Sequence, residues 1–76
     1  MKTVMFLNGP NANLYGLDPK GTYGTDSFPQ IESACMARAE ALGFKLHFRQ
    51  SNHEGQLIDW IQEAREGADA LILNPA

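Results

Sequence analysis

The chain has 76 residues, a formal charge of −3 and a pI near 5.1. That length supports one small domain, 1–76, burying about 60–65% of the surface its unfolded chain exposes. The acidic balance leaves no basic surplus to neutralise phosphates, which excludes nucleic acid and anionic membranes as partners.

No apolar run approaches the ~18 residues of a membrane span. The start, "MKTVMFLNGP", has neither the apolar length nor the small-residue cleavage site of a signal peptide. A single cysteine, Cys35, excludes an internal disulfide and fits a reducing, cytoplasmic compartment.

Residues 3–7 ("TVMFL") are a continuous apolar run, as expected of a strand buried on both faces. The loop that follows, "LNGPNANLYGLDPKGTYG", is rich in Asn, Gly, Pro and Tyr and carries little charge. Ser27 with Gln30 forms a capping-box pattern that opens a helix, and Pro29 fits its first turn. Phe28, Ile31, Cys35, Ala39 and Leu42 recur at helical spacing, with Gly43 as the stop.

Residues 44–49 ("FKLHFR") alternate strictly. This predicts a strand covered on one face by Phe44, Leu46 and Phe48, with Lys45, His47 and Arg49 in solvent near a sheet edge. Ser51 with Glu54 predicts a second capping box. Leu57, Ile58, Ile61 and Ala64 make the next helical stripe, and Gly67 closes it. Residues 70–73 ("ALIL") are again continuous and apolar, followed by "NPA".

Strands alternating with helices of about 12–15 residues predict βαβ units and a parallel sheet. The edge-like second strand favours the order 2-1-3 of a flavodoxin-like α/β sandwich. In that order the apolar third strand is itself an edge, which natural chains avoid leaving bare. Further strands or a partner chain are therefore expected beyond Ala76.

At the strand-order reversal, ligands bind outside the carboxyl ends of the strands. This expectation brings Asn8, Asn11 and Asn74 to one crevice, with Asn52 entering from the neighbouring loop. Neutral amides that donate and accept suit a polyhydroxylated, carbonyl-bearing small molecule. Asn and Gly also serve as plain loop residues that tolerate left-handed backbone.

The segment from Tyr15 to Gly24 reads as a lid. Tyr23 within it is a candidate general base if a cation favours its tyrosinate, and Lys20 is the one cation in the loop. The alternative is a tyrosine that closes over the loop's base. His47 is expected in solvent, His53 in a capping or packing role, and Cys35 and Trp60 in packing. No acidic set has metal-ligand spacing, and neither GxGxxG nor GxxxxGK occurs.

"FLNGPNANLYG", "YG" at 23–24, "QSNHEGQLIDWIQEA" and "ILNPA", in this order and spacing, closely resemble the type II 3-dehydroquinate dehydratases across essentially the whole chain. The resemblance implies a flavodoxin-like fold, a trimer-based dodecamer, and a family length about twice this one. It implies trans-dehydration of 3-dehydroquinate to 3-dehydroshikimate, in the shikimate or quinate pathway, without metal or cofactor.

Carried over, the base is Tyr23, and Asn11 holds the enolate-side water with the Pro10 carbonyl beside it. Asn74 orients the substrate. The family's general-acid histidine, its carboxylate partner and a substrate-gripping arginine belong to the part after "NPA", so the 76-residue chain by itself is expected to be inactive.

One position departs from the pattern. Where the family has a lid arginine that helps ionise the tyrosine, this chain has Asp18, and an acid there opposes ionisation. Lys20 is a possible substitute, but a compact ammonium is not a guanidinium fork. The alternative reading is a non-catalytic small-molecule-binding or assembly module derived from the same family.

Overall fold

The computed structural model describes residues 1–17 and 26–75. Its elements are β1 (Thr3–Asn8), a 3₁₀ turn (Ala12–Leu14), α1 (Phe28–Leu42), β2 (Lys45–Gln50), α2 (Glu54–Gly67) and β3 (Ala70–Asn74). The three strands form one parallel sheet in the order β2-β1-β3, as the sequence pattern predicts. The bounds shift slightly, because β1 and β3 each extend through an asparagine and β2 runs one residue later than expected. Backbone pairing is indifferent to side-chain polarity, so the ladder continues through Asn8, Gln50 and Asn74.

Because the strand order reverses at β1, right-handed crossovers carry α1 and α2 to opposite faces. Residue parity along the strands shows this division. On one face Phe6 stands beside Phe48, ring centroids 5.1 Å apart, and Phe28 of α1 stacks a further 5.3 Å from Phe48. On the other, Met5 and Leu7 pack with Ala64 of α2, flanked by Leu57, Trp60 and Ala68. Leu7 is fully buried.

The α1 cap follows the sequence pattern. The Gln30 backbone N–H donates to Ser27 Oγ, the Ser27 backbone N–H donates to Gln30 Oε1, and Pro29 occupies the first turn. Gly43 ends the helix at φ 79°, a conformation glycine adopts without Cβ strain.

The second capping box does not form. The Ser51 backbone N–H still donates to the Asn8 carbonyl, so Ser51 belongs to the end of the sheet and cannot also start a helix. His53 is the N-cap residue and makes no side-chain capping bond. Ser51 Oγ instead accepts from the His53 N–H and donates to Gln56 Oε1. Gly67 is the last helical residue, and the chain leaves through extended Ala68 rather than a left-handed glycine.

Two expectations about burial are also corrected. The face of β2 expected in solvent is partly covered by α2, leaving His47 and Arg49 half-buried. Arg49 lies 5.5 Å from the Trp60 ring and forks onto the Glu63 carboxylate. The hydrogen bond from Arg49 holds the Glu63 carboxyl below its ordinary range, with the positive charges of Arg49 and His47 adding to it. Strict alternation reads as one covered face, but a long cationic stem can cover apolar surface while its head stays wet.

Conversely, β3 reads as buried on both faces, yet Leu71, Ile72 and Leu73 are 40%, 47% and 47% exposed. Leu42, Ile58 and Ile61 also stay exposed on their helices.

This packing makes Leu7 and Leu73 unequal despite their adjacent register positions. Leu7→Ala is expected to cost about 2–5 kcal/mol, the range for emptying a fully packed site. Leu73→Ala, already half in water, is expected to cost clearly less. Urea unfolding followed by circular dichroism measures both.

Candidate active site

The three strands end level with one another. Asn8 is in register with Gln50 on one side and Asn74 on the other, so three amide side chains stand abreast at the carboxyl edge of the sheet. Asn8 is almost wholly buried, and both ends of its amide are used. Its Nδ2 donates to the Arg49 carbonyl at 3.1 Å, and its Oδ1 accepts from Asn74 Nδ2 at 3.2 Å. Asn74 Nδ2 also donates to the Tyr15 hydroxyl at 3.1 Å. A buried amide satisfied at both ends has its orientation set by its partners.

A second branch holds the loop after β1. Gln50 Nε2 donates to Asn52 Oδ1 at 3.0 Å, and the Gly9 carbonyl and Asn13 Oδ1 lie at 3.3 and 3.4 Å. Asn52 Oδ1 in turn accepts the Asn11 backbone N–H at 2.9 Å. Asn11 is exposed and sits at φ 68°, a left-handed conformation that Asn tolerates better than most residues.

The two branches meet at Gly9, whose N–H donates to the Asn74 carbonyl and whose carbonyl faces Gln50. A Cβ on Gly9 would lie 2.4 Å from the Pro75 carbonyl oxygen, so no side chain fits there. This close approach draws the residues after β1 and β3 together.

The expected gathering of Asn8, Asn11, Asn52 and Asn74 is therefore present as two linked branches. Asn11 is anchored through its main chain, while Asn74 is held through its side chain. Pro10 follows Gly9 and borders a groove of about 350 Å³ on the α2 side, with Leu57, Leu73 and Pro75. Tyr23, Asp18 and Lys20 lie outside the described residues. The loop re-enters at Asp26, where Gly16 (φ 84°) packs so closely on Ser27 that a Cβ would lie 2.7 Å from its backbone.

Gln50 and Tyr15 were not legible as site residues. Gln50 lies just past the alternating run that marks β2, and its place beside Asn8 follows from strand register. Tyr15 lies 59 residues from Asn74 in the chain, so no local spacing links them.

Chemically, this is a neutral edge of oriented amides, a hydroxyl and main-chain groups at the switch point of a parallel sheet. Such an arrangement places the chain among the doubly wound α/β folds, a class that binds ligands at this switch point. The comparisons with known proteins name the family more closely. The dehydroquinase class II family model matches residues 2–76.

The chain is 53% identical over 75 residues to 3-dehydroquinate dehydratase of Phenylobacterium zucineum (strain HLK1), covering 99% of this chain and 52% of that protein. It is 50% identical over 76 residues to the protein of that name from Caulobacter vibrioides, covering 100% and 52% respectively. The crystal structure of type II dehydroquinase from Butyrivibrio crossotus DSM 2876 superposes with a TM-score of 0.92 at 33% identity, over 99% of this chain and 52% of that one. The chain belongs to the class II dehydroquinase family and spans about half the length of the curated relatives it matches.

Asn52→Ala removes the acceptor of the Asn11 N–H. The Asn11 amide is then expected to exchange with solvent about fivefold faster, the equivalent of ~1 kcal/mol for one lost hydrogen bond. Hydrogen exchange read by NMR checks this, with Leu7, in the sheet core, as the unaffected reference.

Proposed function

We propose that this chain carries the proton-abstracting and enolate-holding side of a type II 3-dehydroquinate dehydratase, a hydro-lyase forming 3-dehydroshikimate. The observation that supports it most is the level row of Asn8, Gln50 and Asn74, with Asn11 fixed just beyond, in a chain matched by the family model over residues 2–76.

In this reading the Tyr23 phenolate takes the proton alpha to the ketone, leaving its electron pair in an enolate. Asn11 and a water held with the Pro10 carbonyl stabilise that enolate, and Asn74 orients the ring. The C–O bond then breaks and the hydroxyl departs as water, taking its proton from a histidine that the resemblance assigns after "NPA". The reaction needs neither metal nor cofactor. The setting is cytoplasmic, in the shikimate or quinate pathway, with the complete protein a trimer-based dodecamer.

Without the acid, the 76-residue polypeptide is expected to be stabilised thermally by 3-dehydroquinate but to release no product. Ultraviolet absorbance of the conjugated enone is the readout, and turnover near that of a full-length relative would overturn this expectation.

Asp18 favours the second reading, a binding or assembly module without turnover, because it stands where the resemblance implies an arginine, and an acid in place of that cation opposes ionisation of the tyrosine base. The two are separated in a version of the protein joined to the second half of a relative. There Tyr23→Phe is expected to reduce kcat about 10²–10⁴-fold, the usual contribution of a general base. Asp18→Arg is expected to move the acidic limb of the kcat–pH profile to lower pH. An unmoved profile with full activity assigns the task to Lys20 or another cation, and binding without product establishes the second reading.

A further inference from the structure

Tyr15 belongs to the loop after β1, yet it is held at both ends of its side chain. Its ring meets Phe28 edge-on, centroids 6.4 Å apart, and so continues the row Phe6–Phe48–Phe28 on the α1 face. Its backbone N–H donates to the Ala12 carbonyl at 3.1 Å, and the next residue, Gly16, is seated against the Ser27 backbone at the start of α1. The far end of the ring delivers the hydroxyl to Asn74, whose Nδ2 donates to it at 3.1 Å. A phenylalanine would serve the ring contact equally well. The hydroxyl adds a polar contact aimed at the end of β3.

The direction of that contact follows from groups that cannot reverse. A backbone carbonyl only accepts, so Asn8 presents Nδ2 to the Arg49 carbonyl and turns Oδ1 toward Asn74. An amide oxygen also only accepts, so Asn74 answers Asn8 with Nδ2. The second hydrogen of the same nitrogen goes to Tyr15. Asn8 thus decides which end of the Asn74 amide faces inward. One hydrogen bond leaves the amide plane to swing, because χ2 of Asn is a soft torsion. Two acceptors in different directions define that plane, and they turn Oδ1 away from both.

We propose that Tyr15 is a positioning residue of the crevice. Together with Asn8 it fixes the carboxamide plane of Asn74, so that Oδ1 is offered as an acceptor to a hydroxyl of a bound polyhydroxylated ring. An acceptor oriented in advance spares the ligand the loss of side-chain freedom that ordering it would cost. Tyr15 acts through Asn74 and needs no contact with the ligand. The proposal rests on the reading of the crevice given above, and its first readout is independent of that reading.

The test compares the 76-residue chain with Tyr15→Phe, which keeps the ring and its contact with Phe28. By NMR, the side-chain amide hydrogens of Asn74 are expected to exchange about fivefold faster in Tyr15→Phe, the effect of one lost hydrogen bond. The backbone amide of Leu7 is expected to exchange as in the parent, which shows the sheet to be intact. Titration with 3-dehydroquinate, followed by the same spectra, is expected to show affinity about fivefold weaker. Adding Tyr15→Phe to Asn74→Ala is expected to cause no further loss, because a residue that acts only through Asn74 has nothing left to orient.

Unchanged Asn74 exchange in Tyr15→Phe overturns the proposal, whether or not the ligand binds. Faster exchange with unchanged affinity also overturns it, and so does a further loss on top of Asn74→Ala, which would make Tyr15 a direct ligand contact. A parent chain that does not bind 3-dehydroquinate counts against the catalytic reading instead, and the exchange of Asn74 then decides the role of Tyr15 by itself.

Discussion

β1 is hydrogen-bonded to a parallel strand on each side, and both pairings run to Asn8. Most of the architecture depends on this central strand. It carries Met5 and Leu7 to one helix and Phe6 to the other, so one six-residue segment is shared by both layers of the core. Its termination level with β2 and β3 also sets the site. Had either neighbour paired one residue out of register, its alternate side chains would have traded faces and the row of amides would not form.

Beyond that row the chain changes from apolar to polar chemistry within a single residue. Leu7 is fully buried among side chains, and Asn8 beside it is almost as buried but entirely engaged in hydrogen bonds. A buried amide is costly unless its groups are paired. Here the pairing is supplied by the end of β2 and by Asn74, so the burial of Asn8 depends on the sheet being assembled. This couples the integrity of the sheet to the orientation of Asn74. The Gly9–Pro75 contact acts in the same direction, because it lets the two strand ends approach more closely than any side chain would permit.

The opposite pole of the molecule is the outer edge of β3. Apolar residues at a sheet edge are a liability unless another element covers them. The helices cover the sheet unevenly: α1 packs against β2, while α2 spans from β1 toward β3 and leaves Ile58 and Ile61 facing outward. On β2 the α2 face is covered by Arg49, which reaches Trp60 and Glu63, whereas on β3 the same face presents Leu71 and Leu73 half-exposed. This asymmetry agrees with a chain that matches about half the length of its relatives.

The sequence by itself determined the element order, the parallel sheet, the 2-1-3 arrangement and the family. Apolar run lengths, the Ser27–Gln30 box and Gly43 are local signals, and local signals survive in one dimension. It also marked Asn8, Asn11, Asn52 and Asn74 as a group, because strand ends at a topological switch converge whatever their details. Tertiary structure decided how those residues are wired. Gln50 and Tyr15 enter through strand register and loop closure across 41 and 59 residues, separations that no periodicity reports. It also decided that Ser51 serves the sheet rather than the helix, that Arg49 lies over Trp60, and that Leu71, Ile72 and Leu73 of β3 stay half-exposed. Each of these turns on which element lies beside which, and hydrophobic pattern states that a face is apolar without stating what covers it.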